Sequence, residues 1–254
     1  MTAVAIIPAR GGSRRIPRKN IRPFMGKPII AYSIETAKAS GLFERVVVST
    51  EDEEIAEVAQ KYGADVLMRP LELCEEHIGT QEVTAHALLA MSKIPAHLVS
   101  EDATGYVDGP QQYEYACCIY ACAPMMNTGD LWKGLDSLRQ MSAWYVMSVL
   151  EPLSDAGMFY WGRAERFVSA APLLSSKTLM IPIHSSRGID INTLEDWAKA
   201  EAMYEALRAD PVVGTTLDPV SCEWLGHEYR LMLDVPHPDM IHIRCQRCGH
   251  GLPT

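Results

Sequence analysis

The chain has no apolar run long enough to span a bilayer, no G-x-x-x-x-G-K-[ST] phosphate loop and no G-x-G-x-x-G dinucleotide fingerprint. It is also short of cations: 23 Lys and Arg stand against 32 Asp and Glu, for a formal net charge of -9. That balance argues against broad nucleic-acid binding, although one basic face could still meet a polyanion. The opening residues lack the charged start and long apolar body of a secretory signal, so no membrane association and a cytoplasmic location are expected. Cysteines number 7, an odd count that does not suit a disulfide framework in that compartment. What is present is ordinary for a globular protein: 254 residues, 48% hydrophobic and 22% charged, enough to bury a substantial core.

Against the acidic background one segment stands out. Pro8–Asn20 (PARGGSRRIPRKN) follows the apolar run Val4–Ile7 and gathers two glycines, a serine, a lysine and four arginines. Gly11 and Gly12 allow a tight turn and can present N–H groups to an anion, while the cations can neutralise several phosphate charges. A buried strand that empties into such a loop points to a bound polyphosphate.

The remaining pattern alternates strands and helices. Helices are expected at Ile29–Ser40, Glu53–Tyr62, Thr80–Met91, Asp130–Met141 and Leu194–Leu207, with strands at Val46–Ser49, Asp65–Met68, Tyr115–Tyr120, Ala143–Val149 and Met158–Trp161. This implies a mostly parallel sheet covered on both faces, a three-layer α/β/α Rossmann-like fold. Residues 92–112 are polar and turn-rich and read as a surface excursion. Composition shifts near Ala209 towards proline, cysteine and histidine. Two domains are therefore expected: residues 1–209 for nucleotide binding, and 210–254 as a small module.

The basic loop, with Pro23–Ile34 (PFMGKPIIAYSI), Val46–Thr50 (VVVST), Cys117–Pro124 (CCIYACAP), Asp155–Gly162 (DAGMFYWG) and Ile189–Trp197 (IDINTLEDW), resembles the CMP-sugar cytidylyltransferases. These enzymes activate nonulosonic acids, and Arg15–Ile21 is most similar to the pseudaminic acid branch. The blocks run in family order over roughly four-fifths of the chain. The resemblance implies a glycosyltransferase-A-like nucleotidyltransferase that moves CMP from CTP to a sugar acid of pseudaminic, sialic or legionaminic type, releasing pyrophosphate. By the same resemblance Arg10, Ser13, Arg14, Lys19 and Asn20 map to residues that contact CTP, with Gly11 and Gly12 in the same loop. Arg69 and Thr80 map to positions beside the nucleotide. Arg14 stands where a lysine is usual, and Met158 where the pseudaminic branch has glutamine.

Asp190 is the expected Mg²⁺ ligand. Between Ile189 and Ile191, on a strand, its carboxylate would oppose two apolar side chains, and Asn192 would share its face. The family carries Asp at both positions; here the second is an amide, with an oxygen to offer but no charge. Asp196 reads as a first-turn helix residue that favours the helix dipole. Family members also carry a hairpin-like insertion between positions corresponding to Val149 and Asp155, which binds the sugar acid and forms much of a dimer contact. That insertion is missing, so a homodimer would need another surface. In the tail, Cys222, His227, Cys245 and Cys248 have the spacing of a structural Zn²⁺ site, a zinc-ribbon-like appendage, with His242 or His250 as alternatives to His227. Cys117, Cys118 and Cys122 read as small core residues, and Cys74 as an isolated thiol. Two rivals stay open: a nucleotidyltransferase with another acceptor, and a nucleotide-binding protein without turnover that acts through its zinc module.

Overall fold

Alternate side chains of the first strand, β1 (Ala3–Pro8), feed two separate cores: Ala3, Ala5 and Ile7 pack into one, Val4 and Ile6 into the other. A strand buried on both sides belongs inside a sheet that is covered on both faces. The computed structural model describes residues 2–95, 106–108, 113–150, 154–209, 229–232 and 242–245. After β1 come a small hairpin, β2 (Pro23–Phe24) and β3 (Lys27–Pro28), then α1 (Ile29–Ala39), β4 (Arg45–Thr50), α2 (Glu53–Lys61), β5 (Asp65–Met68) and α3 (Thr80–Met91). The pair β6 (Lys93–Pro95) and β7 (Tyr106–Asp108) leads to β8 (Tyr115–Ile119), α4 (Thr128–Gln140) and β9 (Tyr145–Leu150). The chain continues through β10 (Ser154–Arg163), α5 (Ala164–Val168), β11 (Thr178–Pro182), α6 (Leu194–Ala209), β12 (Tyr229–Met232) and β13 (His242–Cys245).

The main sheet has the order β13-β12-β11-β9-β10-β8-β1-β4-β5. Strands β8, β1, β4 and β5 run parallel, as do β9 and β11. Strand β10 is antiparallel to both of its neighbours. One face is covered by α1, α2, α4 and α6, through residues such as Ile34, Ile55, Leu135 and Trp197. The other is covered by α3 and α5, through Ala87, Leu88, Ala164 and Phe167. The expected three-layer α/β/α architecture is therefore the one observed. Cys117, Cys118 and Cys122 are buried within it, and burial raises the Cys118 and Cys122 thiols to about 11.

Local chemistry explains the helix starts. Asp52 caps α2 by accepting from Ile55 N–H at 3.0 Å, with Glu53 and Glu54 in the first turn favouring the helix dipole. A reciprocal capping box of Asn127 and Asp130 opens α4. At the start of α6, Thr193 Oγ1 accepts from Asp196 N–H at 3.1 Å, and Asp196 Oδ2 accepts from Thr193 N–H at 2.7 Å. Asp196 also accepts from Asn192 N–H at 2.9 Å, a contact that heads the causes holding its carboxyl below the ordinary value.

Two expectations are revised. Strand β10 is longer than Met158–Trp161 and runs against its neighbours. Its pairing with β9 resumes at its start, where Ser154 meets Leu150 and Asp155 meets Val149. Asp190 lies on no strand: β11 ends at Pro182, and residues 188–192 form neither strand nor helix. The apolar alternation around Asp190 survives nonetheless, with Ile189 and Ile191 buried and Asp190 exposed. Beyond β11 the sheet is extended by β12 and β13, each antiparallel to its neighbour. The expected zinc ligands Cys222, His227 and Cys248 lie outside the described residues, as does His250; of Cys245 and His242 only the backbone, on β13, is described.

Two features hold the segment that carries Asp190. The β9–β10 register shifts between Asp155 and Tyr160, forming a bulge. Ser148 Oγ accepts from Phe159 N–H at 3.1 Å and donates to Phe159 C=O at 2.8 Å, supplying partners for strand groups at the shift. Downstream, the turn at 184–188 is pinned to the start of α4 by a two-bond ion pair from Arg187 to Asp130, at 2.6 and 2.9 Å. Both side chains are nearly inaccessible, at 11% and 4% exposure. Removing one partner of such a pair strands a buried charge. Arg187→Met is expected to cost about 3–5 kcal/mol in denaturant unfolding; a loss below about 1 kcal/mol would contradict this role for the pair.

Candidate active site

The carboxyl ends of β1, β5 and β8 open onto one cleft of about 280 Å³, the position where parallel α/β sheets bind ligands. Arg10, Ser13, Arg15, Lys19 and Asn20 line it from the basic loop, Arg69 from the end of β5, Thr80 from the start of α3, and Asp190 with Asn192 from the segment before α6. Residues distant in sequence and expected to share a site thus converge.

The loop is rigidly mounted. Ile16 is a buried plug, and Asn20 donates to Arg10 C=O at 2.9 Å. Asn20 Oδ1 also receives the Cys122 thiol at 3.4 Å, so both polar ends of the amide hold the loop in shape. Arg18 sits in the left-handed region, φ 54, and donates twice to the Asp52 carboxylate. That bonding holds the Asp52 carboxyl below its ordinary value. A Cβ on Gly11 would lie 2.3 Å from Asp52 Oδ2, so only glycine permits this approach.

The anion expected at the Gly11 amide is supplied by the protein itself. Gly11 N–H donates to Glu51 Oε1 at 2.7 Å, and Glu51 Oε2 pairs with Arg69 at 3.2 Å. Burial pushes the Glu51 carboxyl up, but the Gly11 amide, its own backbone amide, the Cys74 thiol and Arg69 together outweigh it and hold it below the ordinary value. Arg69 is itself buried and donates to Cys74 Sγ at 3.3 Å, so Cys74 has a partner after all. Arg14 turns outward to Glu76, with the ion-pair distance at 3.3 Å, and does not line the cleft; neither do Gly11 and Gly12.

Opposite the loop, Lys19 Nζ donates to Ile191 C=O at 2.8 Å, tying the loop to the Asp190 segment. Asn192 Nδ2 donates to Asp190 Oδ2 at 2.6 Å, and Arg15 donates to Asn192 Oδ1 at 2.9 Å. The shared face of residues 190 and 192 is observed. The amide oxygen expected as a second metal ligand, however, is taken by Arg15. Thr80 Oγ1 receives the Tyr160 hydroxyl at 2.9 Å. Nearby, Tyr120 lines the cleft; burial first, then the charge of Asp155, push its phenol far above the ordinary value. It stays protonated and donates to Asp155 Oδ2 at 2.6 Å.

A hard divalent cation fits this donor set in one way. Among the described residues no group of three or more His, Cys, Asp or Glu is arranged to hold a metal. Asp190, exposed in the cleft, offers one carboxylate, which suits Mg²⁺ retained by a single protein ligand and the oxygens of a bound polyphosphate.

Glu51, Asp52, Arg15 and Tyr120 were absent from the sequence-based site. Glu51 and Asp52 directly follow a Val-rich strand, and the rule that sites gather at strand carboxyl ends could have found them. Arg15 sat within the basic loop without a role. Gly157 lies within the Asp155–Gly162 segment. It adopts φ +66 in the β10 bulge, and a Cβ there would come 2.8 Å from Asp190 Cα. Gly157→Ala is expected to displace Asp190 and cost about 1–3 kcal/mol of stability, read as a lower thermal midpoint. An unchanged midpoint would show that the bulge yields freely.

A sequence profile described as Cytidylyltransferase matches residues 4–92. Pseudaminic acid cytidylyltransferase of Campylobacter jejuni is 30% identical over 240 residues, covering 81% of this chain and 97% of the relative. CMP-N,N'-diacetyllegionaminic acid synthase of Legionella pneumophila is 28% identical over 225 residues, with shares of 81% and 97%. Among solved structures, CMP:2-keto-3-deoxy-manno-octonic acid synthetase complexed with CTP aligns with a TM-score of 0.60 at 16% identity, over 81% of this chain and 99% of the other. At that identity the likeness is one of fold.

Proposed function

We propose, given that this chain belongs to the cytidylyltransferase family, that it transfers CMP from CTP to a nonulosonic acid and releases pyrophosphate. The observation that carries this reading is the cleft itself. A rigid cationic loop faces an exposed carboxylate across a narrow gap, and Lys19 bridges the two sides. The names of the relatives support CTP as donor and a pseudaminic- or legionaminic-type acid as acceptor.

In this reading Arg10, Ser13 and Lys19 hold the triphosphate. Loop rigidity fixes the α-phosphorus, and positioning supplies much of the rate in such a displacement. The acceptor hydroxyl oxygen forms a bond to the α-phosphorus as the bond to the bridging oxygen of the β-phosphate breaks. The hydroxyl proton is released and pyrophosphate leaves. Asp190 would hold Mg²⁺, which when bound spreads the charge that builds on the phosphate oxygens. Arg69, neutralised by Glu51, contributes shape and hydrogen-bond donors more than net charge. Arg14, at the rim, meets the nucleotide only if it leaves Glu76.

The test is pyrophosphate release with CTP, UTP, ATP and GTP against a panel of nonulosonic acids. Release is expected with CTP and at least one acid. Asp190→Asn should lower turnover at least about a hundredfold, the size of several kcal/mol of lost charge stabilisation. No release with any acid under ample Mg²⁺, or a clear preference for another nucleotide, would overturn the reading.

A further inference from the structure

The arginines around the cleft differ in what holds them. Arg14 is paired with Glu76, Arg18 with Asp52, and Arg69 with Glu51, so each faces a carboxylate that offsets its charge. Arg15 is held differently. Its guanidinium donates to Asn192 Oδ1 at 2.9 Å, a neutral acceptor, and among the described residues it makes no ion pair. The orientation of that amide follows from its neighbours. Arginine only donates and the Asp190 carboxylate only accepts, so the oxygen must face Arg15 and the NH₂ must face Asp190. Asn192 therefore fixes Arg15 in place across the cleft without offsetting its charge.

We propose that Arg15 is a triphosphate-binding residue, and that the amide at position 192 keeps its full charge available to the phosphates instead of supplying a second metal carboxylate. The inference rests on the CTP reading above. A carboxylate at 192 would satisfy the same Arg15 geometry but would convert the contact into an ion pair, as at Arg14, Arg18 and Arg69. It would also add a negative charge beside the phosphates. With an amide, Arg10, Arg15 and Lys19 form a cationic face without carboxylate partners among the described residues, in a cleft that Asp190, Glu75 and Glu76 also line. The expected consequence is substantial affinity for the nucleotide even without a divalent cation.

Calorimetric titration of CTP and of cytidine into the full-length protein, in EDTA and in Mg²⁺, tests this. Arg15→Gln is expected to weaken CTP about tenfold or more in EDTA, the scale of a lost charge-assisted hydrogen bond, and to leave cytidine unchanged. Asn192→Asp should weaken CTP in EDTA and gain more from Mg²⁺ than the natural chain does. In the Arg15→Gln background, the effect of Asn192→Asp in EDTA should shrink, because no arginine remains to be neutralised. An Asn192→Asp effect that is the same with and without Arg15 would mean direct repulsion of the phosphates, and would overturn the role given to the amide. Unchanged CTP affinity in Arg15→Gln, with an unchanged thermal midpoint, would overturn the role given to Arg15. If the natural chain binds no CTP at all, the family-based reading fails first, an outcome distinct from either of these.

Discussion

The site depends on holding several cations close together without letting them repel one another apart. Two like charges about 5 Å apart repel by roughly 3 kcal/mol at an effective dielectric of about 20, so a loop with four arginines and a lysine cannot keep its shape unaided. Carboxylates behind and beside it solve this. Asp52 takes Arg18, Glu51 takes Arg69 and the Gly11 amide, and Glu76 takes Arg14 at the rim. Two of the cations that line the cleft are held by neutral groups, Lys19 by Ile191 C=O and Arg15 by Asn192 Oδ1, whereas Arg69 keeps its Glu51 partner. At Lys19 and Arg15 the charge is left unpaired on the cleft side.

The second requirement is that Asp190 arrive at the right depth. It belongs to no strand, so no ladder of hydrogen bonds fixes it. Its position follows from three contacts made elsewhere: the Arg187–Asp130 pair pins the preceding turn, Gly157 lets the β10 bulge touch its backbone, and Asp196 captures the amide of Asn192. The α6 cap thus does double duty. The carboxylate that starts the helix also anchors the segment presenting Asp190.

Much of this was legible in the sequence, and the parts that were not share a cause. The loop announced itself because its glycines and cations are contiguous. The three-layer fold followed from apolar runs separated by amphipathic helices with clear caps. Asp190 and Asn192 were read as sharing one face from two flanking isoleucines, and they do share one even though no strand forms. What escaped was non-local pairing. Gly11 meets Glu51 across 40 residues, and Arg15 meets Asn192 across 177, and no periodicity reports such contacts. The Gly11 amide was read as open to a ligand because its internal partner was out of view. The direction of β10 follows from its separation from β9 by only three residues, too few for a parallel crossover, but that separation emerges only once β10 is seen to begin at Ser154 instead of Met158.

The proposed reaction turns on attack at the α-phosphorus by an acceptor held in this cleft. The most direct measurement is label transfer from CTP carrying ³²P at either the α or the γ position, with a nonulosonic acid and Mg²⁺. The α label should move into the sugar-acid product, and the γ label should leave wholly as pyrophosphate. Appearance of the γ label on the acceptor, or bound CTP from which neither label moves with any acid, would contradict it.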